Sequence, residues 1–194
     1  AVVRAAAASA TKKPPDIVRA ALVLRANGLA TGVSGTRVEV AERLLECLRR
    51  GVLPRVPSRG SVGASGDLAP LAHLALPLIG EGEAWFEGEL LPGRDALARA
   101  GVEPLRLHAK EGLSLINGTQ FMASFGALGV VRAKRLAVAA DIACALSVEA
   151  LEGSRKAFSA GVHAVRPLRG QAAAAENVLQ LLEGELPRRL LDGP

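Results

Sequence analysis

Apolar residues recur at helical spacing along most of the chain, and glycines and prolines mark where the spacing breaks. The pattern predicts a helix over Asp16 to Asn27, opened by Pro14-Pro15 and stopped by Gly28. After a turn at Gly32 to Gly35, Thr36 followed by Glu39 has capping-box spacing and predicts a second helix. Val38, Ala41, Leu45 and Leu48 would form its apolar stripe, and Gly51 its end. Residues 52–66 carry Pro54, Pro57, Gly60, Gly63 and Gly66, too many breakers for a regular element, and read as a loop. Asp67 is a candidate N-cap for a helix from Leu68 towards Ile79, with Pro70 tolerated in its first turn and Pro77 bending or ending it.

Residues 80–107 differ in character. Ala84-Trp85-Phe86 and Glu89-Leu90-Leu91 flank Glu87-Gly88 and predict a small hairpin, followed by a short helix over Asp95 to Ala100. This reads as an excursion from a helical body. Residues 119–151 read as one long helix, apolar on nearly every side except at Arg132, Lys134 and Arg135. A helix apolar all round must be buried all round. The expected fold is therefore mainly α: a long-helix bundle, shared between subunits, with one small β-hairpin. The whole chain is expected to form a single helical domain fragment, ending in a helix over Gln171 to Leu182.

With 49% hydrophobic residues the chain can bury a real core, so disorder is excluded. The net charge of +5 raises nucleic acid as a partner, but the basic residues are scattered and interleaved with acids. With no Tyr and one Trp, base-stacking platforms are poor, and solvated helix faces explain the charge better. Cys47 and Cys144 lie far apart in helical stretches and read as small core residues, which fits a reducing cytoplasm. The alanine-rich start is a poor signal peptide and has no initiator Met, so a piece of a longer polypeptide is expected. Leu113 to Val131 lacks charge over a span-like length, but Ser114, Asn117, Thr119, Gln120 and Ser124 make a buried helix the better reading than a membrane span. His73, His108 and His163 are scattered, and no metal site is expected.

The chemistry is concentrated in Gly60-Ser61-Val62-Gly63-Ala64-Ser65-Gly66-Asp67-Leu68-Ala69-Pro70-Leu71-Ala72-His73. By pattern alone this is a glycine-rich loop feeding a helix N-terminus: either an anion site or simply a tight turn with a capped helix. The Gly-Lys-Ser/Thr of a nucleotide loop is missing. The stretch resembles the signature of the aromatic amino-acid ammonia-lyases, and within that family the wording fits the histidine enzymes. The resemblance continues through Gly80 to Ala84, Lys110 to Leu113, Leu115-Ile116-Asn117-Gly118-Thr119-Gln120, Ala145 to Leu151 and His163 to Pro167. It implies the long-helix bundle of the ammonia-lyase/fumarase superfamily, and a homotetramer.

The resemblance also implies that Ala64-Ser65-Gly66 closes into a methylidene-imidazolone, with no metal or nucleotide. The Gly66 nitrogen attacks the Ala64 carbonyl carbon, and loss of two waters, one of them from Ser65, leaves an exocyclic methylene. Glycine suits this because a side chain would obstruct the approach. Asp67 would cap the following helix and, by resemblance, assist ring formation; the two roles are compatible. Asn117 could be only a helix cap. By resemblance it lies beside the ring and the substrate with its amide donating a hydrogen bond.

The activity implied is elimination of ammonia from L-histidine to give trans-urocanate. A tyrosine or phenylalanine ammonia-lyase, or an aminomutase, is the alternative within the family; a non-catalytic helical oligomerisation scaffold is the alternative outside it. Leu168-Arg169 after Pro167 departs from the histidine enzymes, which usually continue with His-Pro. The family's proton-transferring residues include tyrosines, which this chain lacks, so the chain by itself is expected to be inactive.

Overall fold

The structure is a computed structural model, and it describes residues 12–59 and 68–184. Two compact units are formed, Ala1–Leu128 and Gly129–Pro194.

In the first unit, α1 spans Pro15–Ala30 with a proline in its first turn, where no N–H is needed. The Asp16 carboxylate accepts the Ile17 N–H at 2.9 Å and supports that open end. The helix runs through Gly28, past its expected end. It stops only at Gly32, whose φ of +77° takes the chain out of helical space. Its buried stripe is Ile17, Val18, Ala21, Leu22, Arg25, Ala26 and Leu29.

Helix α2 spans Val38–Arg50 and packs on α1. The capping box expected at Thr36 and Glu39 does not form. Arg37 is the N-cap residue and offers no side-chain cap; its own guanidinium takes the Glu39 carboxylate at 2.6 Å. The expected apolar stripe is also displaced. Val38 is 73% exposed and Leu45 38%, while Val40, Leu44 and Cys47 are buried, flanked by Ala41 and Leu48. Seven apolar residues between 38 and 48 offer more than one helical stripe, and packing on α1 selects the 40-44-47 register. Gly51 ends the helix in the left-handed region, as expected.

Part of the expected loop is a strand. β1, Leu53–Pro54, pairs antiparallel with β2, Glu83–Phe86, which pairs with β3, Glu89–Pro92. Pro54 is tolerated because β1 is an edge of this three-stranded sheet. The hairpin turn at Glu87-Gly88 has positive φ at both residues, the twist that two-residue hairpins favour.

Helix α3 covers Leu68–Ala75 and passes into a 3₁₀ turn at Leu76–Ile79, where Pro77 cannot sustain α-helical bonding. Helix α4, Gly93–Arg99, packs on that turn. A further short helix, α5, spans Glu111–Ile116 and packs on α3. The core of the unit gathers Leu22, Leu44, Leu71, Leu74, Leu78, Leu97 and Leu115.

The long helix α6 is Gln120–Ala150, within a residue of expectation at each end. It begins in the first unit and continues through the second. In the second unit its Ala145 packs with Val178 and Leu182 of the final helix α8, Arg169–Leu182, and Asn177 donates to Asp141 at 2.8 Å. A short helix at Ala160–Ala164, α7, follows a 3₁₀ turn at Arg155–Phe158 and packs on α8. The expectation that α6 is buried all round is not met in this chain: Leu136 is 71% exposed, Leu146 66% and Leu151 81%. Among the described residues no helix is long and apolar enough to cross a membrane. The apolar stretch considered as a span is broken at Asn117, between α5 and α6.

Candidate active site

Of the residues singled out in the sequence, Ala64, Ser65, Gly66 and Asp67 lie outside the described residues; Asn117 lies within them. Helix α3 begins at Leu68, directly after Asp67 in sequence, and it packs against α5, the helix capped by Asn117.

Asn117 is the C-cap residue of α5, in extended conformation with φ −102° and ψ 111°. Both of its backbone polar groups are committed. Its N–H donates to the Leu113 carbonyl at 3.0 Å, and its carbonyl accepts from Arg25 Nη1 at 2.9 Å. The side chain is exposed, and its amide takes part in no hydrogen bond among the described residues. Among the described residues, Asn117 therefore presents an amide donor and acceptor without a partner, on a fixed backbone. It caps α5, not the long helix, whose first bond runs from the Ala123 N–H to the Thr119 carbonyl.

Arg25 reaches this turn from the buried face of α1. It is 5% exposed, and the same Nη1 also donates to Gln120 Oε1 at 2.8 Å. Its Nε has no partner among the described residues. Gly118 lies directly beneath this contact. A Cβ there would fall 2.3 Å from Arg25 Nη1 and 2.1 Å from Gln120 Oε1, so a side chain at 118 would displace the ends of these two side chains.

A second clamp holds the other end of α5. Glu111, 2% exposed, accepts from the Arg37 backbone N–H at 3.1 Å, Arg37 Nε at 2.9 Å, Arg37 Nη2 at 3.1 Å and the His108 N–H at 2.7 Å. The Arg37 guanidinium foremost, then the His108 N–H, hold its carboxyl down at about 2 against the opposing effect of burial. Ser114 Oγ donates to the Ser34 carbonyl at 2.9 Å, tying the middle of α5 to the turn before α2. The helix that carries Asn117 is thus bonded to α1 and to the turn that follows it.

His73 lies on α3. Burial and the nearby Arg55 lower its pKa, Glu83 opposes them, and its buried Nε2 has no partner among the described residues. No group of three or more His, Cys, Asp or Glu among the described residues is arranged as metal ligands.

Sequence reasoning missed Arg25, Gly118, Gln120, Arg37 and Glu111. One signal was available for Arg25: in the stripe at 17, 18, 21, 22, 25, 26 and 29 it is the single charged residue.

Comparison with known proteins gives the class. The aromatic amino acid lyase model matches residues 1–190, and the chain belongs to that family. It is 62% identical over 168 residues to histidine ammonia-lyase of Gloeobacter violaceus, covering 87% of this chain and 33% of that protein. It is 59% identical to the Sorangium cellulosum histidine ammonia-lyase, covering 86% and 32%. The chain thus spans about a third of the length of the curated relatives it matches. Among solved structures, histidine ammonia-lyase from Trypanosoma cruzi superposes with a TM-score of 0.83 at 40% identity, over 92% of this chain and 35% of that one. Pantoea agglomerans phenylalanine aminomutase gives 0.85 at 36% identity, over 93% and 35%.

Proposed function

We propose that this chain is part of an ammonia-lyase that eliminates ammonia from L-histidine to give trans-urocanate. The observation that carries the reading is Asn117: its backbone is fixed, its amide has no partner among the described residues, and it belongs to a chain that also carries Ala64-Ser65-Gly66. The residues fit a methylidene-imidazolone formed from that tripeptide, because a neutral amide such as that of Asn117 can donate to substrate or ring without needing to titrate. Such a group supplies an electrophile that no ordinary side chain offers. Asn117 contributes binding and orientation of the α-amino acid. Asp67 caps the helix that follows and supports ring formation.

The family resemblance assigns proton transfer to residues that include tyrosines, and this chain has none, so the complete polypeptide carries the activity and this chain alone is inactive. The exposed apolar side chains of α6 support burial in a larger assembly, and we take that assembly to be a homotetramer. Free Cys47 and Cys144 are consistent with a cytoplasmic enzyme.

The test is intact mass with peptide mapping of the complete protein. A deficit of two water masses in the peptide holding Ala64 to Gly66, abolished by Ser65→Ala, is the expected result. An unmodified peptide in a protein that releases no ammonia refutes the reading. The second reading, an aminomutase or a lyase acting on tyrosine or phenylalanine, is favoured by the fold likeness to the phenylalanine aminomutase. A substrate panel separates the two. A protein indifferent to Ser65→Ala would instead be a helical scaffold.

A further inference from the structure

Asn117 can serve only if its side chain is aimed, and the structure holds a device that aims it. Arg25 occupies a position where the α1 stripe otherwise carries Ile, Val, Ala and Leu. Burying a guanidinium there costs desolvation that a leucine would avoid, and no carboxylate pairs with it among the described residues. What it does reach is the Asn117 carbonyl and Gln120 Oε1, both through Nη1. The Asn117 N–H is separately held by the Leu113 carbonyl. With both ends of its backbone bonded, the direction of its Cα–Cβ bond is set.

Gly118 lies against the same contact, and a methyl group there would push the Arg25 and Gln120 side-chain ends aside. Gln120 lies close over α1: a Cβ added at Gly28, one helical turn beyond Arg25, would fall 3.4 Å from its Nε2.

We infer that Arg25 is a positioning residue for the elimination reaction, acting through Asn117 by fixing the turn between α5 and α6. The inference rests on the proposed role of Asn117. It predicts an effect on catalysis that disappears when the Asn117 amide is removed.

The experiment is a double-mutant cycle in the complete enzyme: wild type, Arg25→Met, Asn117→Ala and the double variant. Each is measured for kcat and KM with histidine, for melting temperature and for the two-water mass deficit. Displacing a reacting contact by about an ångström costs roughly 100-fold in rate. Arg25→Met is therefore expected to lower kcat by about that factor while the mass deficit is retained. In the Asn117→Ala background the same substitution is expected to lower kcat less than about threefold, because coupled residues do not add. Equal fold losses in both backgrounds would reduce Arg25 to scaffolding and overturn the inference, as would loss of the mass deficit in Arg25→Met. If Arg25→Met does not fold, Arg25→Leu, which also removes the donor and matches the apolar α1 stripe, carries the same cycle.

Failure of the underlying reading looks different. Wild-type protein without the mass deficit and without ammonia release would remove the proposed function, and with it the inference. An undiminished kcat in Asn117→Ala would remove only the role of Asn117 and the inference built on it.

Discussion

Replacing Glu111 with glutamine isolates the clamp at the start of α5. The substitution keeps the side chain's shape but puts an amide among N–H donors, where one oxygen formerly accepted. A carboxyl that titrates near 4.5 when unfolded and at about 2 in the fold carries at most ~3.4 kcal/mol of stability at neutral pH. The Arg37 side chain is 36% exposed, so solvent screens part of this, and about 2 kcal/mol is the expected loss at pH 7. The sign follows from the depressed pKa. The contribution is complete above pH 4.5 and is lost as pH falls towards 2, with roughly two-fifths remaining at pH 3. Urea unfolding followed by Trp85 fluorescence reads this directly, because Trp85 is the chain's one tryptophan and sits in β2 of the same unit. The gap between wild type and Glu111→Gln should be about 2 kcal/mol at pH 7 and narrow by more than half at pH 3. A gap below about 0.5 kcal/mol at pH 7, or one unchanged at pH 3, would refute the account of the clamp.

Gly93→Ala should destabilise the first unit by about 3 kcal/mol, because the added methyl would lie 2.1 Å from the Glu81 carbonyl oxygen and 3.1 Å from the Pro77 Cα, backbone that cannot rotate away. A shift in the Trp85 urea transition under about 0.5 kcal/mol would contradict this. In the native chain a disulfide reagent at pH 8 should modify Cys144 and leave Cys47 untouched. Burial pushes the Cys47 thiol up to about 12, and it is 1% exposed, so both thiolate and access are missing. Rapid modification of Cys47, located by peptide mapping, would show that the α1–α2 interface opens readily.

The long elements were legible because periodicity accumulates over many residues. Helix α6 and the β2–β3 hairpin fall where their patterns place them. Short elements carry too few residues for that. β1 has two residues, one of them proline, and is specified by its partner β2. Helix α5 has six residues and opens at Lys110, whose φ of +72° is unusual for a residue with a side chain; no local signal announces it. The stripe of α2 was misplaced because its apolar residues outnumber one face, and only the neighbour decides between faces. In the site, the chemistry of Ala64-Ser65-Gly66 and the candidacy of Asn117 were open to a reader of the sequence through the family resemblance. The partners that hold Asn117 were not, since Arg25 lies 92 residues away from it along the chain.

The contact at Gly118 also constrains the order in which this protein could change over time. While Arg25 and Gln120 keep their present side chains, any residue larger than glycine at 118 collides with both. A lineage that first shortened Arg25 and Gln120 would free the space, and larger residues at 118 would then become acceptable. Once position 118 had filled, a returning arginine would have to seat its guanidinium differently. The turn that carries Asn117 therefore couples three positions: what each accepts depends on the side chains at the other two.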